Sequence, residues 1–252
     1  MIGAPVPSLC LMRTTALFAH RSAPLRTLAL TAILLIGFSL RPAPAQVPPS
    51  ASEIAAFKGL FAAAARGDAA EIARLVAQGA DVKARDGHQR TALHVAAHGG
   101  HKEAVRALIT GGADPRALDL RRYDIVTIAA VRDDEAMVRL AISLGSDPRA
   151  ITSPYDGTAL IAAAHRGHDG VVRALIEAGA PLDHVNNLKW TALIESIVLG
   201  NGGPRHTACL KALLDAGANP HLADGQGVTP LSLARSRGYH AMVALLQAKI
   251  GR

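Results

Sequence analysis

Residues 91–115 read TALHVAAHGGHKEAVRALITGGADP, and three histidines, His94, His98 and His101, sit four and three residues apart within it. On a helix, such spacings place side chains one turn above another, as a metal site would require. Neither a cysteine nor a carboxylate completes a tetrahedral set here. The other reading is that the stretch is one copy of something recurrent, and the remainder of the chain decides between the two.

The stretch recurs. TALH at Thr91 returns as TALI at Thr158, TALI at Thr191 and TPLS at Thr229, while Gly100-His101 returns as Gly167-His168 and Gly238-Tyr239. A second turn signal closes each unit, at Gly79-Ala80-Asp81, Gly112-Ala113-Asp114, Gly145-Ser146-Asp147, Gly179-Ala180 and Gly217-Ala218-Asn219. Those glycines lie 33, 33, 34 and 38 residues apart, a period that marks a repeat architecture. Within a unit, Thr caps a first helix, and Pro230 after Thr229 occupies a first turn where its missing N–H does no harm. A glycine turn reverses the chain into a second helix carrying an aliphatic pair such as Leu108-Ile109, Leu175-Ile176, Leu213-Leu214 or Leu245-Leu246. The glycine beyond it suits the left-handed conformation that ends helices.

The string TALHVAAHGGH followed by GAD resembles the ankyrin repeat, whose motif is TPLHxAAxxGH with a later GAD. The resemblance runs from about residue 52 to 252 and implies an all-α solenoid of stacked helix–turn–helix units with short hairpin-like loops. Copies are expected at 52–85, 86–118, 119–151, 152–185, 186–223 and 224–252. The first and last serve as caps, because one unit cannot bury its apolar face alone. His94 and His101 occupy positions where the motif itself has histidine, which implies structural roles. His98 lies outside the motif and has its equivalent in His165, two repeats away. Helices stack about 8–10 Å apart, so these two cannot share an ion; no metal and no cofactor is expected.

Half of the 252 residues are hydrophobic but only 3% are aromatic, so the core must be built from Ala, Leu, Ile and Val. The net charge of +7 is unevenly placed. Arg13, Arg21, Arg26 and Arg41 stand in residues 1–45 with no acid beside them, leaving +3 for the remainder. A basic stretch, the apolar run LALTAILLIGFSL and then RPAPAQ have the layout of a secretory signal cleaved before Gln46. The apolar run is shorter than the roughly 20 residues of a membrane span. The expectation is a signal at 1–45, a short linker at 46–51 and a repeat domain at 52–252, exported to a bacterial periplasm or beyond with no stable membrane insertion. Cys10 leaves with the leader, so Cys209 remains and no internal disulfide can form. Export and the lack of a Lys-rich run argue against nucleic acid.

Two units depart from the pattern. In the third, Asp124 replaces the capping Thr, Asp133-Asp134 replaces Gly-His, and Ala141 stands where Leu108 stands in the second; this unit is expected to be the least stable internal repeat. The fifth carries extra residues at 201–205, within GNGGPRH, readable as a plain surface loop or as a contact loop. Glu195 falls where other copies have Val95, Ile128, Ala162 and Leu233, and is read as a semi-exposed, locally paired charge. Cys209 is read as a semi-buried apolar residue.

No GxSxG, phosphate-binding loop, HExxH or CxxC is present, and no enzyme activity is expected. The ankyrin resemblance implies protein binding through the loop tips and the inner faces of the first helices. Read off the motif, the candidate positions are Arg90, His98, Arg121, Tyr123, Arg132, Tyr155, His165, Arg166, Trp190 and Arg237. Arginine and aromatics predominate, the residue types enriched at binding hot spots. The expected site is a concave groove on a monomer, holding an acidic region of another exported protein, with Arg121, Tyr123, Arg166 and Trp190 near its centre. A second class stays open: a binding protein for a small or polymeric anionic ligand of the envelope, which would call for a deep pocket lined by the same arginines.

Overall fold

Each helix start in the repeated motif is made by a side chain that answers the free N–H groups of the first turn. Thr158 accepts from the Ile161 N–H and Thr191 from that of Ile194, both at 3.3 Å. Asp124 does the same in the third unit, at 2.8 Å from Thr127 N, so the cap survives the replacement of Thr. In the second unit His94 reaches back to Thr91: its Nδ1 accepts from the Thr91 N–H at 3.1 Å. That leaves Nε2 protonated, and it donates to the Tyr123 carbonyl at 3.2 Å, tying the helix start to the next loop. Burial holds the His94 imidazole below its ordinary pKa, in keeping with this neutral tautomer.

The computed structural model describes residues 46–251; the expected signal segment 1–45 and its cleavage junction lie outside the described residues. A short helix α1 (Ala51–Ala56) leads into six helix pairs: α2 (Gly59–Arg66) with α3 (Ala69–Ala77), α4 (Ala92–Gly99) with α5 (Lys102–Thr110), α6 (Ile125–Val131) with α7 (Glu135–Ser143), α8 (Ala159–Arg166) with α9 (Asp169–Glu177), α10 (Ala192–Val198) with α11 (Pro204–Asp215), and α12 (Pro230–Ser236) with α13 (His240–Ile250). The first helices pack in the order α2, α4, α6, α8, α10, α12, and the second helices form a parallel row from α3 to α13. The fold is an all-α repeat; the described residues contain one isolated bridge, Thr152 to Gly157, and no strand. None of the described helices is long and apolar enough to cross a membrane.

Alanine pairs at equivalent positions, Ala63-Ala64, Ala96-Ala97, Ala129-Ala130 and Ala163-Ala164, are almost wholly buried along the inner row. Their small side chains let neighbouring helices approach closely, while Leu108, Leu175, Leu213 and Leu246 fill the space toward the outer row. Cys209 is fully buried in this layer, and burial pushes its thiol up to about 12.

The Gly-His turns knit one pair to the one before. His101 Nε2 lies 3.1 Å from the Ala65 carbonyl, His168 Nδ1 2.8 Å from that of Ala130, and the Tyr239 hydroxyl donates to Gly200 O at 3.0 Å. The insert of the fifth unit does not interrupt this series. Pro204 opens an outer helix of 12 residues, where α5, α7 and α9 have nine. His206, displaced along the chain by the insert, still places Nε2 3.0 Å from the His165 carbonyl. From the same turn Arg205 pairs with Asp133 at 2.6 Å and Asp169 at 3.4 Å, reaching back across two units.

The loop tips are built on one recurring acceptor. Asp86 Oδ1 takes the N–H groups of His88 and Arg90, and Asp119 Oδ1 those of Arg121 and Tyr123. Asn186 Oδ1 takes those of Leu188 and Trp190, and Asp224 Oδ1 those of Gln226 and Val228. Backbone bonds join successive tips, from Leu120 N to His88 O, Ser153 N to Arg122 O and Asn187 N to Tyr155 O.

Candidate functional site

Four tips hang from an Asp or Asn, and that of the fourth unit from Ser153, whose Oγ accepts from the Tyr155 and Gly157 N–H groups at 3.3 Å, so the side chains that follow are presented beside the inner-helix ends. The ten candidate residues do not share one environment there. Arg132, His165, Arg166 and Arg237 are exposed, while Arg121, Tyr155 and Trp190 are half-buried. Arg90, His98 and Tyr123 are buried, at 1%, 7% and 6% exposure.

Arg90 is the clearest correction to the groove expected from the sequence. Its Nε donates to Asp86 Oδ2 at 2.6 Å, one Nη to the Val47 carbonyl at 3.2 Å, and the other to Glu53 Oε1. The stretch read as a linker therefore runs extended over the second tip and enters α1 at Ala51, capped by Ser50. Hydrogen bonds from the Ser50 backbone and hydroxyl, with Arg90 behind them, bring the Glu53 carboxyl down to about 2. A guanidinium enclosed by its own chain cannot meet a partner. His98 is likewise withdrawn. Its Nε2 has no hydrogen-bond partner among the described residues, and burial, followed by His94, Arg90 and Arg132, lowers it to about 4. Tyr123 lies under the tips, its backbone serving Asp119 and His94.

Four of the candidates are brought together. Tyr155, Arg121 and Arg166 all act electrostatically on the Tyr123 phenol, whose pKa is raised first by burial and then by Asp119. Trp190 stands further along, packed against the core from the fifth tip. With Leu188, Val198, Leu233 and Arg237 it lines a cleft of about 280 Å³. The side chains of Arg132, Arg166 and Arg237 form no hydrogen bond or ion pair with other described residues, unlike those of the outer-row arginines Arg74, Arg139, Arg173 and Arg205.

Sequence reasoning missed one polar cluster in this floor. Glu195 is 3% exposed, not semi-exposed. Its Oε1 accepts from Asn186 Nδ2 at 2.9 Å, while Oε2 lies 3.3 Å from His165 Nδ1 with no hydrogen bond of acceptable geometry. The signal was available: Asn186 breaks the Asp86, Asp119, Asp224 series in the same unit in which Glu195 breaks an apolar one. An aspartate at 186 would have faced Glu195 carboxyl to carboxyl. No group of three or more metal-ligating side chains is assembled among the described residues.

A family model described as ankyrin repeats matches the chain in three copies, over residues 56–119 and 126–224. The ankyrin repeat protein YahD of Escherichia coli is 40% identical over 95 residues, 37% of this chain and 47% of that protein. An ankyrin repeat-containing protein of Treponema pallidum is 35% identical over 92 residues, 36% of this chain and 29% of that one. The aligned part thus spans less than half the length of these relatives. Among solved structures, an ankyrin repeat domain from Acinetobacter baumannii is similar at TM-score 0.72 and 43% identity, covering 75% of this chain and 96% of that one. The ankyrin repeat domain of Bcl-3, a member of the IkappaB family, is similar at TM-score 0.68 and 27% identity, covering 77% and 86%.

Proposed function

The chain belongs to the ankyrin repeat family, and on that premise we propose that it is a non-enzymatic interaction module of the bacterial periplasm, holding an acidic region of another exported protein. Ankyrin repeats are protein-binding modules; the acidic partner and the compartment are our reading. The observation that carries the first is that Arg132, Arg166 and Arg237 are exposed on the inner face, near Arg121 and Tyr155, with side chains that pair with no other described residue. Exposed guanidinium groups beside aromatic rings favour carboxylates, steering them by charge and binding them bidentately. What supports the second is the leader sequence.

A small anionic ligand would need arginines converging on one cavity. The clefts of about 400, 390 and 280 Å³ are each lined by one arginine, Arg173, Arg85 and Arg237 respectively. That arrangement favours an extended partner over a compact anion.

The test uses the chain from Gln46 as bait in periplasmic extract, beside an Arg121→Glu/Arg166→Glu variant. A protein held by the wild type and lost by the variant supports the reading; equal retention by both would sink it. Cell fractionation with N-terminal sequencing tests the compartment, where a cytoplasmic product retaining residues before Gln46 would contradict export.

A further inference from the structure

The position eight residues after each inner-helix N-cap, which is the helix's last residue or its C-cap, is in register from unit to unit: Arg66, Gly99, Arg132, Arg166, Leu199 and Arg237. A helix C-terminus welcomes any cation, but that does not account for the exception. At the fifth unit the position is Leu199, a leucine left 43% exposed. Just before it, Val198 ends α10 and lies in the cleft it shares with Leu188, Trp190, Leu233 and Arg237. From the third unit to the sixth the row therefore reads cation, cation, apolar, cation.

We infer that this row is a register-specific receptor for a polyproline II segment bearing carboxylates at its first, fourth and tenth positions and a large apolar side chain at its seventh. The inference rests on the acidic-partner reading above and narrows it. Inner helices of adjacent units pack side by side, about 8–10 Å apart. A polyproline II helix has three residues per turn and rises about 3.1 Å per residue, so one turn covers about 9 Å and every third side chain faces the same way. A β-strand of similar rise turns residues three apart to opposite faces. Polyproline II is thus the extended form whose period matches the repeat, and it is already extended before binding, which lowers the ordering cost. Arg132 and Arg166 take the first two carboxylates, the cleft beside Leu199 takes the apolar residue, and Arg237 takes the last carboxylate.

The experiment measures fluorescence anisotropy with a labelled ten-residue peptide, glutamate at positions one, four and ten, leucine at seven and proline elsewhere. The control is a scrambled peptide of the same composition, and poly-glutamate serves as a generic acidic probe. The matched peptide is expected to bind about tenfold tighter than the scramble at low salt. Arg166→Ala should narrow the gap between matched and scrambled peptides without closing it, since Arg132 and Arg237 remain, and circular dichroism checks that the variant is folded. Equal binding of matched and scrambled peptides overturns the register and leaves the acidic-partner reading standing. If neither peptide binds, the inference falls; the broader reading falls with it only if poly-glutamate also fails to bind.

Discussion

Replacing Asn186 by aspartate changes one atom and should unfold the fifth repeat early. Asn186 does two jobs: Oδ1 accepts from the Leu188 and Trp190 N–H groups, each at 3.0 Å, and Nδ2 donates to Glu195 Oε1 at 2.9 Å. Asn186→Asp keeps the first and converts the second into two carboxyls in contact, both about 3% exposed. Two full charges about 3 Å apart repel by about 6 kcal/mol at an effective dielectric near 20. Protonating one of them sets a lower ceiling, since holding a carboxyl neutral at pH 7.5 costs about 4–5 kcal/mol. With His165 Nδ1 3.3 Å from the other oxygen, the expected loss is about 3–4 kcal/mol at pH 7.5. The pair's pKa is raised in the folded variant above its unfolded value, so the deficit shrinks as pH falls, to about 1 kcal/mol at pH 5. The chain's one tryptophan, Trp190, follows Asn186 by four residues and reports this repeat directly. For a urea m-value of about 2 kcal/mol/M, its fluorescence midpoint should drop by about 1.5–2 M. Adding Glu195→Gln, whose amide can donate to the new carboxylate, should recover all but about 1 kcal/mol. An unchanged midpoint at pH 7.5, or a double variant no better than the single one, would refute the account.

Arg90→Met strands Glu53, Asp86 and the Val47 carbonyl together, at a cost of about 3 kcal/mol. In a repeat array that loss stays local, so hydrogen exchange should rise over residues 46–66 while the Trp190 midpoint barely moves; a large shift at Trp190 would contradict local coupling. His98 has a folded pKa of about 4 against an ordinary 6.5, so its contribution is complete above pH 6.5 and is lost as pH falls toward 4. His98→Leu should reduce that acid sensitivity by up to about 3 kcal/mol, leaving the part due to His94, and identical pH profiles for variant and wild type would count against it. Cys209, with its thiol raised to about 12, should resist a disulfide reagent in the native protein at pH 8 and react on unfolding in urea. Rapid native labelling would show that the outer row opens there.

What could be read from the sequence was whatever each unit repeats within itself. The caps at Thr158, Thr191 and Asp124 and the turns at Gly100 and Gly167 involve atoms a few residues apart, so local pattern was enough. The histidines followed the same logic, since His94 and His101 bond backbone groups of adjacent units. The errors arose where a partner comes from outside the repeat. Arg90 looks like any other tip residue until Val47 and Glu53, from a segment with no counterpart later in the chain, fold over it. Tyr123 and His98 were misplaced because a motif position fixes height along the tip or helix but not how far the neighbouring tip covers it. Glu195 was read alone, whereas its burial becomes intelligible only with Asn186 as donor.

These corrections change where the face begins. Residues 46–53 already lie over the second tip, presenting a carbonyl and a carboxyl to Arg90. That guanidinium is satisfied by the two kinds of group an acidic extended segment would bring to its unpaired counterparts. At the row position of the same unit stands Gly99, which has no side chain to offer. Occupied tip and empty row position together separate Arg66 from the arginines beyond it. The proposed receptor row accordingly starts at Arg132 and ends at Arg237, four units or about 30 Å of row at the usual helix spacing. A partner segment of about ten residues in polyproline II form is long enough to cover it, and a bound segment much shorter than that would leave either Arg132 or Arg237 without a function.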